Sequence, residues 1–313
     1  MINSDELKNF ILDNPKLVTR KESKNYPGLY VIKYSKKVFY DALWSVDPIL
    51  EECRGLVVDS DYKPVIRPFQ KVFNYTENGV TIDDSDLVEY SRKVNGFMAG
   101  LTKMSSGELV VSTTGSLDSD FVGYAKMYLD KISPDSLECG VTHLFEICHP
   151  EDPHIIPETF GAYYLGARDI ETGITEWSFT QEYEEAAGQS KVADYKKYRQ
   201  TPAYFFLERE TCTFGELRKK LKECDHEGFM VRSLTTGVVL KLKSPYYLVN
   251  KFLARIGSEK LITGIRTGSI KERVDEEYYN LIDHVASNID EFVQMSEEQR
   301  LDLTREFLEF NTK

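Results

Sequence analysis

Short apolar segments, rich in aromatic and β-branched residues, recur from residue 28 to residue 243, and polar turns that contain glycine separate many of them. Such residues favour β-strands, and such turns join antiparallel neighbours. We therefore expect antiparallel sheets over most of the chain. The strand pairs that the pattern predicts are 28–34 with 37–40, 97–102 with 108–113, 163–169 with 176–179, and 227–231 with 238–243.

Helical spacing of apolar residues is confined to a few segments. It occurs at 4–11, where we expect Ser4 to cap the helix, at 120–131, and throughout the chain after Tyr246. The predicted fold class is therefore α+β, with an antiparallel-sheet domain followed by a small all-helical C-terminal domain. The charged segment 181–221 suggests no chemistry and is interpreted as an inserted or peripheral subdomain. The predicted domains are 1–245 and 246–313.

Composition excludes several classes of protein. No run is long and apolar enough to cross a bilayer, and the first residues lack the layout of a signal peptide, so we expect a cytoplasmic protein. The five cysteines are scattered and odd in number, which argues against a disulfide framework and a zinc knuckle. The net charge of -12 argues against a surface built for non-specific binding of nucleic acid. It leaves room for a local basic groove.

Lys93, followed three residues later by Gly96, is the candidate nucleophile. A lysine amine attacks phosphorus or carbonyl centres only when it is unprotonated, so its site must lower its pKa with cations, a metal or burial. The glycine would let the backbone approach a bound nucleotide. Taken alone, the spacing is a weak pattern that favours a solvated hairpin lysine, so other residues must overturn that interpretation.

Several charged residues lie inside apolar segments. Arg54 begins an apolar strand, where an arginine either pairs with a carboxylate or reaches a ligand. Glu146 lies in an apolar run, where an ionised carboxylate is costly unless it meets a cation or metal. Lys241 and Lys243 are two residues apart and share one face of a strand. They either face an anion or protect an edge strand from pairing.

Two further segments add cations. Lys71 and Phe73 place an amine and an aromatic ring upstream of Lys93, although the ring alone predicts a core position. Residues 251–273 contain six basic and two acidic residues. We expect this basic stretch to contact phosphates outside the catalytic pocket.

The charged positions form an ordered series that resembles the motifs of the covalent nucleotidyltransferases, which comprise DNA ligases, RNA ligases and capping enzymes. The series consists of Lys93 with Gly96, Phe145 with Glu146, residues 164–169, Glu227 with Gly228, and Lys241 with Lys243. Upstream, residues 52–55 and 67–74 resemble the segments before the nucleophile in the RNA ligase 1 family, the tRNA-repair ligases of tailed phages. The resemblance covers about residues 40–250. No segment after 250 resembles the OB-fold of DNA ligases and capping enzymes, which favours an RNA ligase.

The resemblance implies an ATP-dependent RNA ligase that joins 5′-phosphate and 3′-hydroxyl ends through lysyl-AMP and adenylylated RNA. ATP and Mg²⁺, or Mn²⁺ in its place, would be the cofactors. Lys93 would attack the α-phosphorus, and Gly96 and Phe73 would lie at the nucleotide. The other implied contacts are the α-phosphate for Lys241 and Lys243, the β- and γ-phosphates for Arg54 and Lys71, and the ribose or metal for Glu146 and Glu227.

The resemblance also implies a monomer that acts on RNA, with a tRNA anticodon loop as natural target, in the cytoplasm of a phage-infected cell. Two departures from the family pattern stand out. Asn95 replaces an aspartate, and Thr114 stands where related ligases carry a lysine or arginine, so that either Lys103 or Lys126 would substitute or the nucleotide contacts would differ. The alternatives are a non-catalytic RNA-binding protein derived from a ligase, a DNA ligase and a capping enzyme.

Overall fold

The computed structural model describes residues 3–179, 204–274 and 278–311. Its strands, in chain order, are β1 Val18–Glu22, β2 Tyr30–Tyr34, β3 Arg54–Val58, β4 Pro64–Ile66, β5 Leu87–Arg92, β6 Phe97–Lys103, β7 Leu109–Thr113, β8 Val141–Cys148, β9 Gly161–Asp169, β10 Thr175–Trp177, β11 Tyr204–Phe206, β12 Glu210–Thr213, β13 Gly228–Ser233 and β14 Val239–Lys243.

The α-helices of these residues are α1 Ser4–Asp13, α2 Lys36–Tyr40, α3 Ile49–Glu52, α4 Asp120–Leu129, α5 Phe214–Lys222, α6 Pro245–Arg255, α7 Ser258–Thr267, α8 Tyr279–Ser287, α9 Ile289–Phe292 and α10 Glu297–Asn311. Short 3-10 turns occur at Leu43–Val46, Glu77–Gly79, Pro134–Ser136 and Lys271–Arg273. None of the described helices is long and apolar enough to cross a bilayer.

The described strands form three sheets. The N-terminal sheet has the order β1-β2-β3-β4, the central sheet β10-β9-β8-β6-β7 with β11 also beside β9, and the third sheet β12-β5-β13-β14. Every pairing is antiparallel except that of β11 with β9. The predicted α+β class is confirmed, and so are the hairpin of β6 with β7 and the pairings of β9 with β10 and β13 with β14.

Three predictions about local structure are wrong. Residues 37–40 do not pair with β2; they lie in α2, where Val38 is fully buried while the lysines before it face solvent. Strand β2 pairs with β1 instead. The cap of α1 is Asn3, because its side chain accepts hydrogen bonds from the backbone at residues 5 and 6. Residues 204–221 belong to the sheets and to α5, not to a peripheral subdomain, whereas 181–203 lie outside the described residues.

The hydrophobic core is divided among the sheets and the C-terminal helices. Helix α4 packs on the central sheet, and α5 packs on the third sheet. The helices after residue 245 have a cluster of their own around Leu253 and Leu281, and no strand occurs among the described residues there. They contact the rest of the protein at Ile155 and Ile156. The described residues after 250 form no OB-fold, which agrees with the prediction, and the boundary at 245 stays a prediction.

The central and third sheets meet where the chain crosses between them. Strand β5 belongs to the third sheet and β6 to the central sheet, and residues 93–96 form the whole connection. A side chain on this connection is therefore flanked by both sheets. This crossing holds Lys93.

Candidate active site

The backbone of Lys93 is held by the strand beside it, since its N–H donates to Gly228 O at 2.8 Å. Its amine donates to Glu227 Oε2 at 2.7 Å, and its side chain is 18% exposed. The exposed part faces a cavity of about 420 Å³ between the two sheets. Of the residues predicted from sequence, this catalytic cavity is lined by Arg54, Lys93, Gly96, Glu146, Glu227, Lys241 and Lys243.

Gly96 is required by the fold at this crossing. A Cβ on Gly96 would lie 2.3 Å from Ile147 O, on the neighbouring strand β8, which is closer than any side chain can approach. The close packing of the two backbones is thus enough to require glycine at this position, whether or not a nucleotide binds there. Its backbone N–H donates to Glu146 Oε1 at 3.2 Å, which fixes that carboxylate beside Lys93.

The pKa values of the two carboxylates of the cavity are shifted in opposite directions. Burial alone would raise the pKa of Glu227, but the ammonium groups of Lys93 and Lys243 outweigh it, and the pKa lies below its ordinary value. Burial raises the pKa of Glu146, and the attraction of Lys93 does not cancel that effect. Its cationic neighbours therefore favour the ionised form of Glu227, whereas the positive charge around Glu146 does not offset the effect of burial on its pKa.

Lys93 is held as a cation in this arrangement. Burial lowers its pKa, but the charges of Glu227 and Glu146 outweigh burial, so the pKa lies above its ordinary value. Arg54 opposes the two carboxylates. An amine in this state is positioned but not yet nucleophilic, because nucleophilic attack requires the neutral form.

Lys241 and Lys243 lie on the cavity face of β14, while Leu240 and Leu242, which alternate with them, are buried on the other face. The shared face is thus as predicted. They do not protect a free edge, because Lys241 N donates to Phe73 O at 2.9 Å. Burial, aided by repulsion from Lys71 and neighbouring cations, lowers the pKa of Lys241 to about 6.

The surroundings of Arg54 distinguish the two alternatives for this residue, pairing with a carboxylate and contact with a ligand. Its guanidinium lies 3.5 Å from Met98 Sδ, and no carboxylate of the described residues pairs with it. Two buried arginines, Arg67 and Arg168, do have a carboxylate as structural partner, since both bind Glu52, at 3.0 and 2.7 Å. Arg54 is therefore available to a ligand in the cavity.

Lys71 and Phe73 do not line the catalytic cavity. The amine of Lys71 donates to Glu77 at 2.6 Å and lies 4.7 Å from the centre of the Phe73 ring. Phe73 is buried against Trp44, with ring centres 5.4 Å apart. The core interpretation of the ring matches this position, and its backbone holds Lys241. Contact of either side chain with a nucleotide stays a prediction.

Sequence patterns gave no indication of the apolar wall of the cavity. The rings of Phe69 and Trp177 pack with centres 4.0 Å apart, and Met98 and Leu165 complete the wall. Phe69 and Leu165 lie in segments that resemble family motifs, and Met98 and Trp177 lie in predicted strands, but no pattern predicts that the four form one wall. A planar apolar ligand group fits such a surface, because aromatic rings stack favourably on one another.

Asn95 links three parts of the site. Its amide nitrogen donates to Glu227 Oε2 at 2.9 Å, and its oxygen accepts from Ile156 N at 3.0 Å. Its backbone N–H donates to Glu158 at 3.2 Å. The donor and acceptor partners fix the orientation of the amide, since a carboxylate accepts and a backbone N–H donates. The sequence marked Asn95 only as a departure from a motif.

A family model described as RNA ligase matches residues 52–252, which is more than half of the chain. The match runs from before Arg54 to beyond Lys243 and so contains the cavity residues predicted from sequence. The chain belongs to the RNA ligase family. It is therefore an enzyme of the nucleotidyltransferase superfamily that acts on RNA. No curated protein matches its sequence.

Solved structures of ligases have the same fold as this RNA ligase. Two forms of an archaeal ATP-dependent RNA ligase are each 16% identical, with TM-scores of 0.56 and 0.58. The two alignments cover 97% and 96% of this chain and 81% and 78% of those chains. A putative ATP-dependent DNA ligase from Aquifex aeolicus is 15% identical with a TM-score of 0.56, and 96% of this chain aligns with 76% of that one.

Thr114 lines the catalytic cavity of the RNA ligase, but neither expected substitute does. Lys103 donates to Leu137 O at 3.3 Å, and Lys126 forms an exposed pair with Asp130. A different amine, that of Lys33, lies 3.5 Å from the position that a Cβ on Gly115 would take. Compensation by Lys103 or Lys126 is therefore not supported by their positions.

The basic stretch is divided between two locations. Arg255 lines the catalytic cavity, and Lys251 is half-buried with its amine 5.4 Å from the Tyr247 ring centre. Lys260 is exposed and has no ion pair among the described residues. The expectation that the whole stretch lies outside the pocket is therefore wrong for Arg255, because α6 turns this residue toward the cavity.

The residues of the cavity fit a divalent metal ion. The described residues contain no cluster of three or more His, Cys, Asp or Glu side chains that would bind a metal on its own. Mg²⁺ needs no such cluster, since it is commonly held by one or two carboxylates together with substrate phosphates and water. Glu146, half-buried with a raised pKa, is a carboxylate that an added cation would stabilise. Glu146 and Glu227 would hold the ion.

Proposed function

We propose that this RNA ligase uses ATP to join RNA 5′-phosphate and 3′-hydroxyl ends, with Lys93 as the residue that carries AMP. The observation that carries the proposal is the position of Lys93. Its amine lies in a cavity that also holds the carboxylates of Glu146 and Glu227 and the amines of Lys241 and Lys243. The amine of Lys243 lies 3.3 Å from Glu227 Oε1. A site that neutralises phosphates and holds one amine in place meets the requirements of phosphoryl transfer.

The first step would take place within the cavity. Neutral Lys93 attacks the α-phosphorus of ATP, a nitrogen–phosphorus bond forms, the bond to the bridging oxygen breaks, and pyrophosphate leaves. Lys241 and Lys243 would neutralise the α-phosphate, and Arg54 would contact the outer phosphates. The same contact for Lys71 requires its ion pair with Glu77 to open. The base would lie on the wall formed by Phe69 and Trp177.

Lys93 must lose a proton before it attacks. In this structure the carboxylates of Glu227 and Glu146 keep its pKa high. A bound Mg²⁺ or Mn²⁺ would cancel part of that negative charge and neutralise charge that develops on the phosphates. Glu227 lies within hydrogen-bonding distance of the amine, so it also fixes the direction of attack.

The later steps would use the same cavity. The AMP passes from Lys93 to the RNA 5′-phosphate, which gives the RNA end a good leaving group. The 3′-hydroxyl of the other end then attacks that phosphorus, and AMP leaves. We further propose a broken tRNA anticodon loop, in the cytoplasm of a phage-infected cell, as the target. A short helical C-terminal region suits a loop better than an encircled duplex.

A labelling experiment tests the nucleotide and the reaction together. Purified protein incubated with Mg²⁺ and α-labelled ATP should carry label that survives denaturation, and the label should move to 5′-phosphorylated RNA when RNA is added. GTP should label poorly. Preferential labelling by GTP, or faster sealing of nicked DNA duplexes than of broken RNA loops, would contradict the proposal.

A further inference from the structure

A row of aromatic side chains leads away from the catalytic cavity along α4. It consists of Phe97, Phe121, Tyr124 and His149, and we name it the aromatic strip. The ring centres of Phe97 and Phe121 lie 5.0 Å apart, those of Phe121 and Tyr124 5.8 Å, and those of Tyr124 and His149 4.4 Å. The contacts are thus continuous from one end of the strip to the other.

The strip joins two cavities. Phe97 lines the catalytic cavity, and His149 lines a second cavity of about 590 Å³ between the segment after β8 and the start of α10. The two cavities share Asn95, His154 and Arg255. A chain that leaves the catalytic cavity toward the second one therefore has the aromatic strip beside its path.

Phe121 is the exposed part of the strip, with 39% of its surface open to solvent. A single exposed phenylalanine is unremarkable in a soluble protein. Phe121 differs because it continues an aromatic row that begins in the catalytic cavity. Its packing on Phe97 is edge-to-face, at 87°, which orders the ring. An ordered, exposed ring is suited to stacking on a planar partner.

Charges around the strip favour bases over phosphates as its ligand. Helix α4 begins with Asp120, and its Lys126 is paired with Asp130. The second cavity has Asp152, Glu158, Glu297, Glu298 and Asp302 among its lining residues, against Arg255 and Arg305. Three of these carboxylates are ion-paired, and the lining offers phosphates no net attraction, so an RNA segment here would be held through its bases. Unpaired bases carry no charge and present flat faces to aromatic rings.

We infer that the aromatic strip binds unpaired bases of the RNA substrate next to the end that is being joined. The inference rests on the proposed function, because it assumes that the reacting RNA end enters the catalytic cavity. It assigns to this enzyme a preference for RNA with unpaired nucleotides beside the break. A duplex that is paired up to the break keeps its bases stacked on each other and cannot use the strip.

Two alanine variants test the inference, and each is compared with a conservative substitution at the same position. Phe121→Ala and Tyr124→Ala should each raise the Kd for a short unstructured RNA roughly tenfold, since a base stacked on an aromatic ring is typically stabilised by this order of magnitude. Phe121→Trp and Tyr124→Phe should retain binding. Met127→Ala is the matched control, because Met127 lies on the same helix and is 60% exposed. Fluorescence anisotropy with labelled RNA measures each Kd.

Four further measurements separate the possible causes of a loss of RNA affinity. Lysyl-AMP formation and the melting temperature should be unchanged in both alanine variants. Binding of a fully paired RNA duplex should also be unchanged, and an equal loss there would overturn the inference. If Phe121→Ala instead dissolved a dimer seen by light scattering, the strip would be a contact between copies, and the inference would be wrong. Failure of the wild type to form lysyl-AMP would contradict the proposed function, whereas unchanged RNA affinity in the variants would contradict only the role of the strip.

Discussion

The side-chain amide of Asn95 donates a 2.9 Å hydrogen bond to Glu227 Oε2, the oxygen that also accepts from Lys93. A carboxylate at position 95 would keep the contact with Ile156 N but would set a second negative oxygen against Glu227. The amide can therefore bind a hydrogen-bond acceptor, Glu227, and a hydrogen-bond donor, Ile156 N, at the same time. This relationship explains why asparagine, and not aspartate, stands two residues after Lys93 in this enzyme.

Asn95→Asp should slow lysyl-AMP formation roughly tenfold to hundredfold at neutral pH, because a hydrogen bond to a charged group is replaced by repulsion. Single-turnover labelling with ATP measures the rate. Asn288→Asp is the control, since it adds the same charge at an exposed position on the C-terminal helices and should leave the rate unchanged. A rate equal to that of the wild type in Asn95→Asp would show that the amide has no such role.

Lys241 should take up a proton when ATP binds. Burial and neighbouring cations lower its pKa to about 6, so the amine is neutral in the free protein at pH 8, and an anionic phosphate favours the charged form. Affinity for ATP should therefore fall as the pH rises from about 6 toward the pKa in the complex.

Calorimetry at pH 8, in two buffers of different ionisation enthalpy, measures this uptake directly. The wild type should take up about one proton more than Lys241→Met on binding ATP. Lys126→Met, which removes an exposed lysine, should behave as the wild type does. Equal proton uptake by the wild type and by Lys241→Met would contradict the assignment.

Glu52 should contribute strongly to stability, because it binds the buried guanidinium groups of Arg67 and Arg168. Glu52→Gln should lower the free energy of unfolding by roughly 3 to 5 kcal/mol, the usual cost of leaving buried charges unpaired. Unfolding in denaturant measures this change in free energy. Asp41→Asn, which breaks an exposed pair with Lys37, should cost less than about 1 kcal/mol. Similar losses in both variants would contradict the structural role of Glu52.

The same network predicts a dependence on pH. Burial alone would raise the pKa of Glu52, but its hydrogen bonds to Arg67 and Arg168 lower the pKa below its ordinary value. A carboxylate with a lowered pKa stabilises the fold above its unfolded pKa and loses that contribution as the pH falls through the folded pKa. The acid limb of the stability curve should therefore be shallower in Glu52→Gln than in the wild type.

The basic stretch should act in two ways. Lys260→Ala should weaken RNA joining and reduce the salt dependence of RNA binding by about 0.7 in the log–log slope, which is the value for one lost contact to a single strand. Lysyl-AMP formation should stay intact in that variant. Arg255→Ala should reduce both reactions, since Arg255 lines the catalytic cavity. Loss of lysyl-AMP formation in Lys260→Ala, or its full retention in Arg255→Ala, would contradict this division.

Strand periodicity and turn residues are local signals, so they were sufficient to predict three of the strand pairs, and the ordered motifs indicated most of the charged residues of the cavity. Lys241 and Lys243 share a face for that reason. The pairing of Lys71 with Glu77, the amide bridge of Asn95 and the entry of Arg255 into the cavity were not predicted. Asn95 and Ile156 are 61 residues apart, and such contacts depend on tertiary packing that local patterns do not encode. The strand prediction at residues 37–40 was wrong for a related reason. Aromatic and β-branched residues favour a strand locally, but the core here accepts one buried side chain from a helical turn.

The most direct test of the central role of Lys93 is covalent labelling of matched lysine variants with α-labelled ATP and Mg²⁺. The wild type and Lys126→Ala should carry equal label that survives denaturation, since Lys126 is paired with Asp130 away from the catalytic cavity. Lys93→Ala should carry none, and peptide mapping of the labelled wild type should locate AMP on Lys93. Undiminished label on Lys93→Ala, or AMP mapped to another lysine, would contradict the account.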